Sequence, residues 1–195
     1  MATKKNPDLK RMVGVAVFIA VVVALQMLGS FIRFGTFSVS LVLVPIVIGA
    51  AVYGPAAGAL LGAAFGAVVL VNCVIGVDVG GYMLWAVNPF MTAALCIVKG
   101  TLAGYAAGIL YRSVKKINHY AGVLSAAIVC PIVNTGIFIL AMIFLYRETL
   151  IAWAGDTNFL YFAFMGLAGM NVVLELSVNI ILCSAAARII KTVQL

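Results

Sequence analysis

Apolar residues fill several long runs of this sequence, and short polar segments separate them. The pattern is clearest over residues 37–71, where two apolar runs meet at residues 53–55 without a single charge. A membrane-spanning helix needs about 20 largely apolar residues, and a helical backbone satisfies its own hydrogen bonds in lipid. The stretch therefore predicts a membrane hairpin. Pro45 is expected to kink its first helix, and the small residues of the second run allow neighbouring helices to approach closely.

The whole pattern predicts six membrane-spanning helices joined by short segments. We expect them at about residues 12–32, 39–52, 56–75, 89–111, 120–145 and 160–189. Residues 76–87, after the third helix, hold one acid, three glycines and two aromatic residues, which predicts a loop that folds over a cavity as a lid. A second polar and aromatic connection is expected at residues 146–159.

Composition indicates the same class of protein. Of the 195 residues, 66% are hydrophobic and 9% are charged, and the mean hydropathy of +1.25 lies far outside the range of soluble domains. Residues 1–11 are too polar, and the first apolar run is too long, for a cleaved signal peptide, so the first helix is expected to stay. The expected fold is an all-α integral membrane protein, one six-helix bundle over residues 1–195.

The formal net charge of +7 is concentrated in three clusters. They are Lys4, Lys5, Lys10 and Arg11 before the first span, Arg112, Lys115 and Lys116 after the fourth, and Arg188 and Lys191 near the end of the last. With six spans, all three clusters fall on the side of both termini, and the positive-inside rule makes that side cytoplasmic. The clusters are topology signals rather than a nucleic-acid-binding face, and residues 1–11 form a basic cytoplasmic N-terminus.

Ionisable residues inside a membrane are costly, so each one is a hypothesis about function. Lys99 and Glu175 lie near the middle of the fourth and sixth spans. They either form a structural ion pair inside the bundle or provide a contact to a polar substrate. An ion pair predicts coupled loss on mutation of either residue, whereas a substrate contact predicts loss of binding alone.

Asparagines extend this polar pattern. Asn171, Glu175 and Asn179 are spaced by four residues and line one face of the sixth span, so that face is expected to border a cavity or a polar seam. Asn134 and Asn72 are expected to join the seam. For any single asparagine, an interhelical hydrogen bond worth about 1 kcal/mol or less is the simpler explanation.

Two other groups of residues have two interpretations each. Tyr82, Trp85 and Trp153 fit an interfacial aromatic belt, and they equally suit stacking against a small ring or an acyl chain. The alanines at four-residue spacing in the first span form a smooth stripe, which fits either ordinary helix packing or a docking face for another membrane protein. These alanines are Ala16, Ala20 and Ala24.

Catalysis finds little support in the sequence. His119 is the only histidine and lies in a predicted cytoplasmic loop, so no histidine-based triad or metal cluster is expected in the bundle. There is no GxxxxGK[ST] motif for ATP hydrolysis. The four cysteines lack metal or disulfide spacing and are interpreted as small buried hydrophobic residues. We expect a protein that binds and transports, without a cofactor, and that takes its energy from elsewhere.

Four segments carry a resemblance to a known family. The alanine stripe, SVSLVLVPIVIGAAVYGPAAGALLGAAFG (38–66), NPFMTAALCIVKGTLAGYAAGILYR (88–112) and PIVNTGIFIL (131–140) resemble the substrate-binding S components of energy-coupling factor (ECF) transporters. The resemblance covers residues 12–190.

The resemblance implies a multi-pass protein of the prokaryotic plasma membrane that captures a vitamin or similar micronutrient from outside. A membrane coupling protein and two cytoplasmic ATPases would complete the transporter, and the alanine stripe would contact the coupling protein. The site would lie at the first loop and the outer ends of spans four to six. Its candidate residues are Arg33, Asp78, Tyr82, Trp85, Asn88, Lys99, Asn134, Asn171 and Glu175.

The substrate is predicted from sequence resemblance alone. Residues 88–100 and 131–138 resemble pantothenate-type members most, and Arg33 or Lys99 would bind a carboxylate. Folate, riboflavin and a queuosine precursor stay open, and Tyr82 and Trp85 suit the ring-bearing candidates better. One rival class is a stand-alone channel or secondary transporter with Lys99 and Glu175 as a polar relay. A membrane-embedded enzyme would need a cluster of His, Asp or Glu at the membrane surface, and the sequence has none.

Overall fold

The computed structural model describes residues 7–29, 33–34, 37–38 and 42–194, and the account below concerns these residues alone. The long helices are α1 (Pro7–Gly29), α3 (Pro55–Val74), α5 (Pro89–Val114), α6 (His119–Phe144) and α9 (Met170–Gln194). The shorter ones are α2 (Leu43–Tyr53), α4 (Val79–Val87), α7 (Arg147–Ala154) and α8 (Phe159–Tyr161), and a π-helical segment (Phe162–Gly169) joins α8 to α9.

Five of these helical stretches are long and apolar enough to cross a membrane. They are Asp8–Gly29, Pro55–Val74, Pro89–Val114, His119–Phe144 and Phe159–Arg188. The eleven residues of α2 are apolar but rise only about 16 Å, roughly half of a bilayer core. The predicted all-helical membrane class is confirmed, with the second predicted span appearing as this shorter helix.

The bundle has two distinct ends. One end, termed here the terminal end, gathers the start of α1, the turn at residues 53–55, the segment between α5 and α6, and the end of α9. There Arg11 Nη2 donates to the Tyr53 carbonyl at 3.1 Å. His119 Nε2 donates to the Ala187 carbonyl at 2.8 Å, and its Nδ1 lies 3.2 Å from the Tyr111 hydroxyl. The opposite end carries α4 and α7 and is termed the capped end.

Helices α3 and α5 are antiparallel and pack with their backbones close together. A Cβ atom added to Gly62 would fall on the Gly100 carbonyl, and one added to Gly58 would fall on the Gly104 carbonyl; the reverse clashes also hold. Gly66 faces the Cys96 carbonyl in the same way. This glycine seam is the close approach that the small residues predicted.

Two local predictions from the sequence were wrong. Pro45 lies in the first turn of α2, where no intrahelical N–H is needed, so it does not interrupt a longer helix. The loop predicted at residues 76–87 is mostly helix α4, because Asp78 caps it by accepting from the Gly81 N–H at 3.0 Å; its role as a lid stays a prediction. The connection predicted at residues 146–159 lies between α6 and α8 and contains α7, whose C-cap residue Gly155 has a positive φ of 56°.

Candidate functional site

Polar side chains of three helices lie in the interior or partly in the interior of the bundle: Lys99 of α5, Asn134 of α6, and Glu175 and Asn179 of α9, together termed here the polar layer. Lys99 lies ten residues after the start of α5, and Asn134 lies ten residues before the end of α6. Both are therefore about 15 Å from the capped end. In α9, Glu175 is 5% exposed and Asn179 is 1% exposed. Because α6 packs against both α5 and α9, the central helix joins all three parts of this polar layer.

The Lys99 side chain is half-buried and lies against an aromatic ring. Its Nζ is 5.3 Å from the centroid of Phe138, which stands one helical turn from Asn134 on the same face of α6. A cation over an aromatic face is stabilised by about 0.5–2 kcal/mol, much less than the hydration that an ammonium loses inside a membrane. An anionic group bound here would therefore gain strongly from Lys99.

In the described part of the structure, two asparagines of the layer have side-chain polar atoms without a hydrogen-bond partner. Among the described residues, no partner hydrogen-bonds to Oδ1 of Asn134 or to either side-chain polar atom of Asn179. A buried polar atom left unpaired costs about 1–3 kcal/mol. These amides are suited to a ligand that carries hydroxyl or amide groups.

The capped end closes over this layer. An apolar cluster joins α4, α5, α6, α7 and the π-helical segment through Leu84, Leu95, Ile139, Met142, Leu150 and Leu167. Within it, the Tyr146 hydroxyl is 2.7 Å from Thr92 Oγ1 and donates to the Asn88 carbonyl at 3.3 Å. Burial raises the pKa of Tyr146 above its usual range, although the hydrogen bond to Thr92 acts in the opposite direction. Tyr146 was not among the predicted site residues; its one signal in the sequence is a tyrosine that directly follows an apolar run.

The structure separates the predicted site residues into groups. Asp78 and Asn88 accept backbone N–H groups as caps of α4 and α5, so they shape the capped end. On α4, Tyr82 is 49% exposed and Trp85 is half-buried. Of the predicted residues whose side chains the structure describes, Lys99, Asn134 and Glu175 belong to the polar layer. Their role in binding stays a prediction, as does the Lys99–Glu175 ion pair.

Two predicted residues have side chains outside the described part of the structure, Arg33 and Asn171. The backbone of Arg33 belongs to strand β1 (Arg33–Phe34), which pairs antiparallel with β2 (Phe37–Ser38), so that Arg33 lies opposite Ser38. Strand β2 contacts α4. The first loop therefore meets α4 at the capped end.

The chain has an irregular helix beside the layer. Residues 162–169 form π-helical turns immediately before α9. A π-helical turn widens the backbone and is found frequently at functional sites. Here it contributes Leu167 to the apolar cluster of the capped end and leads directly into the turns of α9 that carry Glu175 and Asn179.

The alanine stripe lies on the outside of the bundle. Ala16, Ala20 and Ala24 are all exposed, whereas Val22 and Gln26 of the same helix are buried. Helix α1 packs on α2 and α3 through that buried face. The stripe is thus accessible to another membrane protein, and its role as a docking face stays a prediction.

Metal and disulfide chemistry have no visible basis in the described residues. They contain no group of three or more His, Cys, Asp or Glu side chains placed to hold a metal ion. The four cysteines are buried and free, and Cys73 Sγ lies 4.0 Å from Cys96 Sγ.

Several apolar spans around a buried polar layer define a multi-pass membrane protein of the binding or transport class. The sequence matches the family described as ECF transporter, substrate-specific component, over residues 10–187. The chain therefore belongs to the family of substrate-specific components of ECF transporters. The comparison with individual curated proteins gives no match.

Proposed function

We propose that this chain captures a water-soluble vitamin at the polar layer and delivers it inward together with a coupling protein and two cytoplasmic ATPases. In this proposal six helices cross the membrane and both termini are cytoplasmic. The orientation rests on the positive charges that the terminal end carries, and the capped end then faces outward. The exposed stripe of Ala16, Ala20 and Ala24 contacts the coupling protein.

The choice of substrate class rests on one observation. Lys99 is half-buried beside Phe138, in the polar layer that also holds two asparagine amides. An ammonium at this depth favours an anionic ligand, because a carboxylate restores the interaction that burial removes. Asn134 and Asn179 offer both donors and acceptors to the uncharged part of the ligand.

Pantothenate fits this chemistry best among the vitamins considered. It combines one carboxylate with an amide and two hydroxyl groups, which match an ammonium and several side-chain amides. Folate, riboflavin and a queuosine precursor have flat rings that would require aromatic walls. Tyr82 of α4 is largely exposed, so it offers less of such a wall than an enclosed ring would.

Binding is tested with the two intrinsic tryptophans, Trp85 and Trp153. Pantothenate should change their fluorescence in the purified protein, and Lys99→Met should weaken pantothenate binding by at least about tenfold, the loss of one charge-assisted interaction. Lys115→Met is the matched control, because Lys115 Nζ also lies over an aromatic ring, Tyr111, at 5.2 Å, but at the terminal end. Equal loss in both variants would contradict the assignment.

Riboflavin, folate and a queuosine precursor are titrated in parallel. Tight binding of one of these, with no response to pantothenate, would change the substrate assignment and leave the proposed class of function unchanged. Substrate uptake by the chain alone in liposomes would instead support a stand-alone channel or secondary transporter, because the proposed subunit should bind alone and transport only with its ATPases.

A further inference from the structure

The terminal end holds a basic pocket that the proposed transport function does not use. It is a cavity of about 710 Å³ between α1, the turn that joins α2 to α3, and the end of α5. Four exposed cations line it, and none of the described lining residues is acidic. These cations are Lys10, Arg11, Arg112 and Lys115.

The backbone adds to this positive potential. Gly54 and Pro55 form part of the wall, and Pro55 is the first residue of the 20-residue helix α3. The positive end of the α3 dipole therefore faces the cavity. Arg11 is oriented by its bond to the Tyr53 carbonyl, and Lys115 lies over the Tyr111 ring. The pocket is thus built for a compact anion.

An apolar groove begins where the basic pocket ends. This groove of about 470 Å³ runs between α1 and α3 and shares Arg11 with the basic pocket. Its walls are mostly aliphatic, with Met12, Val15, Ile19 and Leu60 among them, and Asp8 is the one carboxylate among its described lining residues. A ligand that fits both cavities combines an anionic group with a hydrocarbon chain.

We propose that the basic pocket and the groove bind one anionic phospholipid of the cytoplasmic leaflet. The phosphate of the headgroup lies among the four cations, and an acyl chain follows the groove between α1 and α3. Basic pockets between helices at the cytoplasmic surface bind phospholipid headgroups in this way. The basic pocket continues into an apolar groove. This favours a lipid over free phosphate, because free phosphate has no hydrocarbon chain that could fill the groove.

The test is native mass spectrometry of the purified full chain with phosphatidylglycerol and with phosphatidylcholine of the same acyl chains. We expect selective retention of phosphatidylglycerol. Lys115→Gln should weaken it about fivefold, the effect of one basic residue at a membrane surface. Lys116→Gln removes the same charge from an exposed lysine that does not line the cavity, and should change retention less than twofold.

A second variant separates lipid from phosphate. Ala56 is exposed and lines the groove, so Ala56→Phe should weaken phosphatidylglycerol retention without changing the binding of inorganic phosphate. A melting temperature close to that of the wild type verifies that each variant folds. Equal retention of the two lipids, or equal effects of Lys115→Gln and Lys116→Gln, would overturn the proposal.

Two other outcomes would assign the pocket to a different occupant. Inorganic phosphate that displaces the lipid completely, with no effect of Ala56→Phe, would make the pocket a free phosphate site. Loss of assembly with the coupling protein in Lys115→Gln, without any change in lipid retention, would make it a protein contact. Neither result depends on vitamin binding at the polar layer, so failure here is distinguishable from failure of the proposed function.

Discussion

The glycine seam between α3 and α5 makes a quantitative prediction about stability. In Gly62→Ala the new methyl group would meet the Gly100 carbonyl, which is backbone and cannot rotate away as a side chain can. The two helices must therefore separate locally, and overpacking of this kind costs about 1–3 kcal/mol. The gain in helix propensity from Gly to Ala, about 1 kcal/mol, offsets part of that cost, or all of it at the lower end, so the effect must be measured against a control that receives the same gain.

Gly136 provides the matched control. It lies inside α6, and a Cβ atom added there would meet nothing within 4 Å. Gly136→Ala should therefore show the helix-propensity gain without the clash. The two variants should differ by about 1–3 kcal/mol in the free energy of unfolding, since both receive the same propensity gain and only one receives the clash. At about 2–4 °C per kcal/mol for a chain of this length, the melting temperatures should differ by roughly 2–12 °C.

The chain contains its own probe for this assay. Its four cysteines are free and buried, so a dye that fluoresces on reaction with thiols reports unfolding in detergent. Tryptophan fluorescence at the capped end should give the same order of melting temperatures. A Gly62→Ala protein that melts at or above Gly136→Ala would refute the close backbone approach of α3 and α5.

Three further variants test other parts of the structure. Asn179→Leu should raise the melting temperature, because the amide is 1% exposed and lacks a partner among the described residues, while vitamin binding measured by fluorescence should fall. Tyr146→Phe should cost about 1–3 kcal/mol, because the hydrogen bonds of the hydroxyl with both Thr92 and the Asn88 carbonyl are lost. The raised pKa keeps Tyr146 neutral in the folded protein, so the cost of the substitution should be constant at lower pH. Near pH 10, where tyrosines of the unfolded chain ionise, the free energy of unfolding of the wild type should begin to fall. Ala20→Leu should block co-purification with the coupling protein while leaving vitamin binding unchanged.

The sequence predicted the long helices closely, because each is a continuous apolar run with a clear start. Asn88 and Pro89 begin α5 as predicted, with Asn88 as the capping residue. The sequence could not predict α4, since a Gly80-Gly81 pair argues against a helix. Tertiary contacts override that preference: Asp78 caps the first turn and Leu84 is buried in the apolar cluster.

The candidate site was harder to predict, because spacing along one helix does not show which helices face each other. Lys99, Asn134 and Glu175 were predicted because a polar residue inside an apolar run stands out, and their role in binding stays a prediction. Asp78 and Asn88 were also predicted as site residues, yet their side chains cap helices. Polarity marks a residue that needs a hydrogen bond, whereas the partner of that bond is set by the fold.

The two proposed surfaces of α1 have a consequence for assembly. Ala16 belongs to the alanine stripe and also lines the apolar groove, so an acyl chain in the groove would lie beside the predicted coupling face. A lipid bound there and a docking coupling protein would then compete for Ala16. Lys115→Gln should weaken lipid binding and leaves the alanine stripe unchanged. It should therefore increase association with the coupling protein in membranes rich in phosphatidylglycerol, and have no such effect in phosphatidylcholine. Pull-down from nanodiscs of the two compositions measures this, and unchanged association in both would show that the lipid and the coupling protein occupy separate faces of α1.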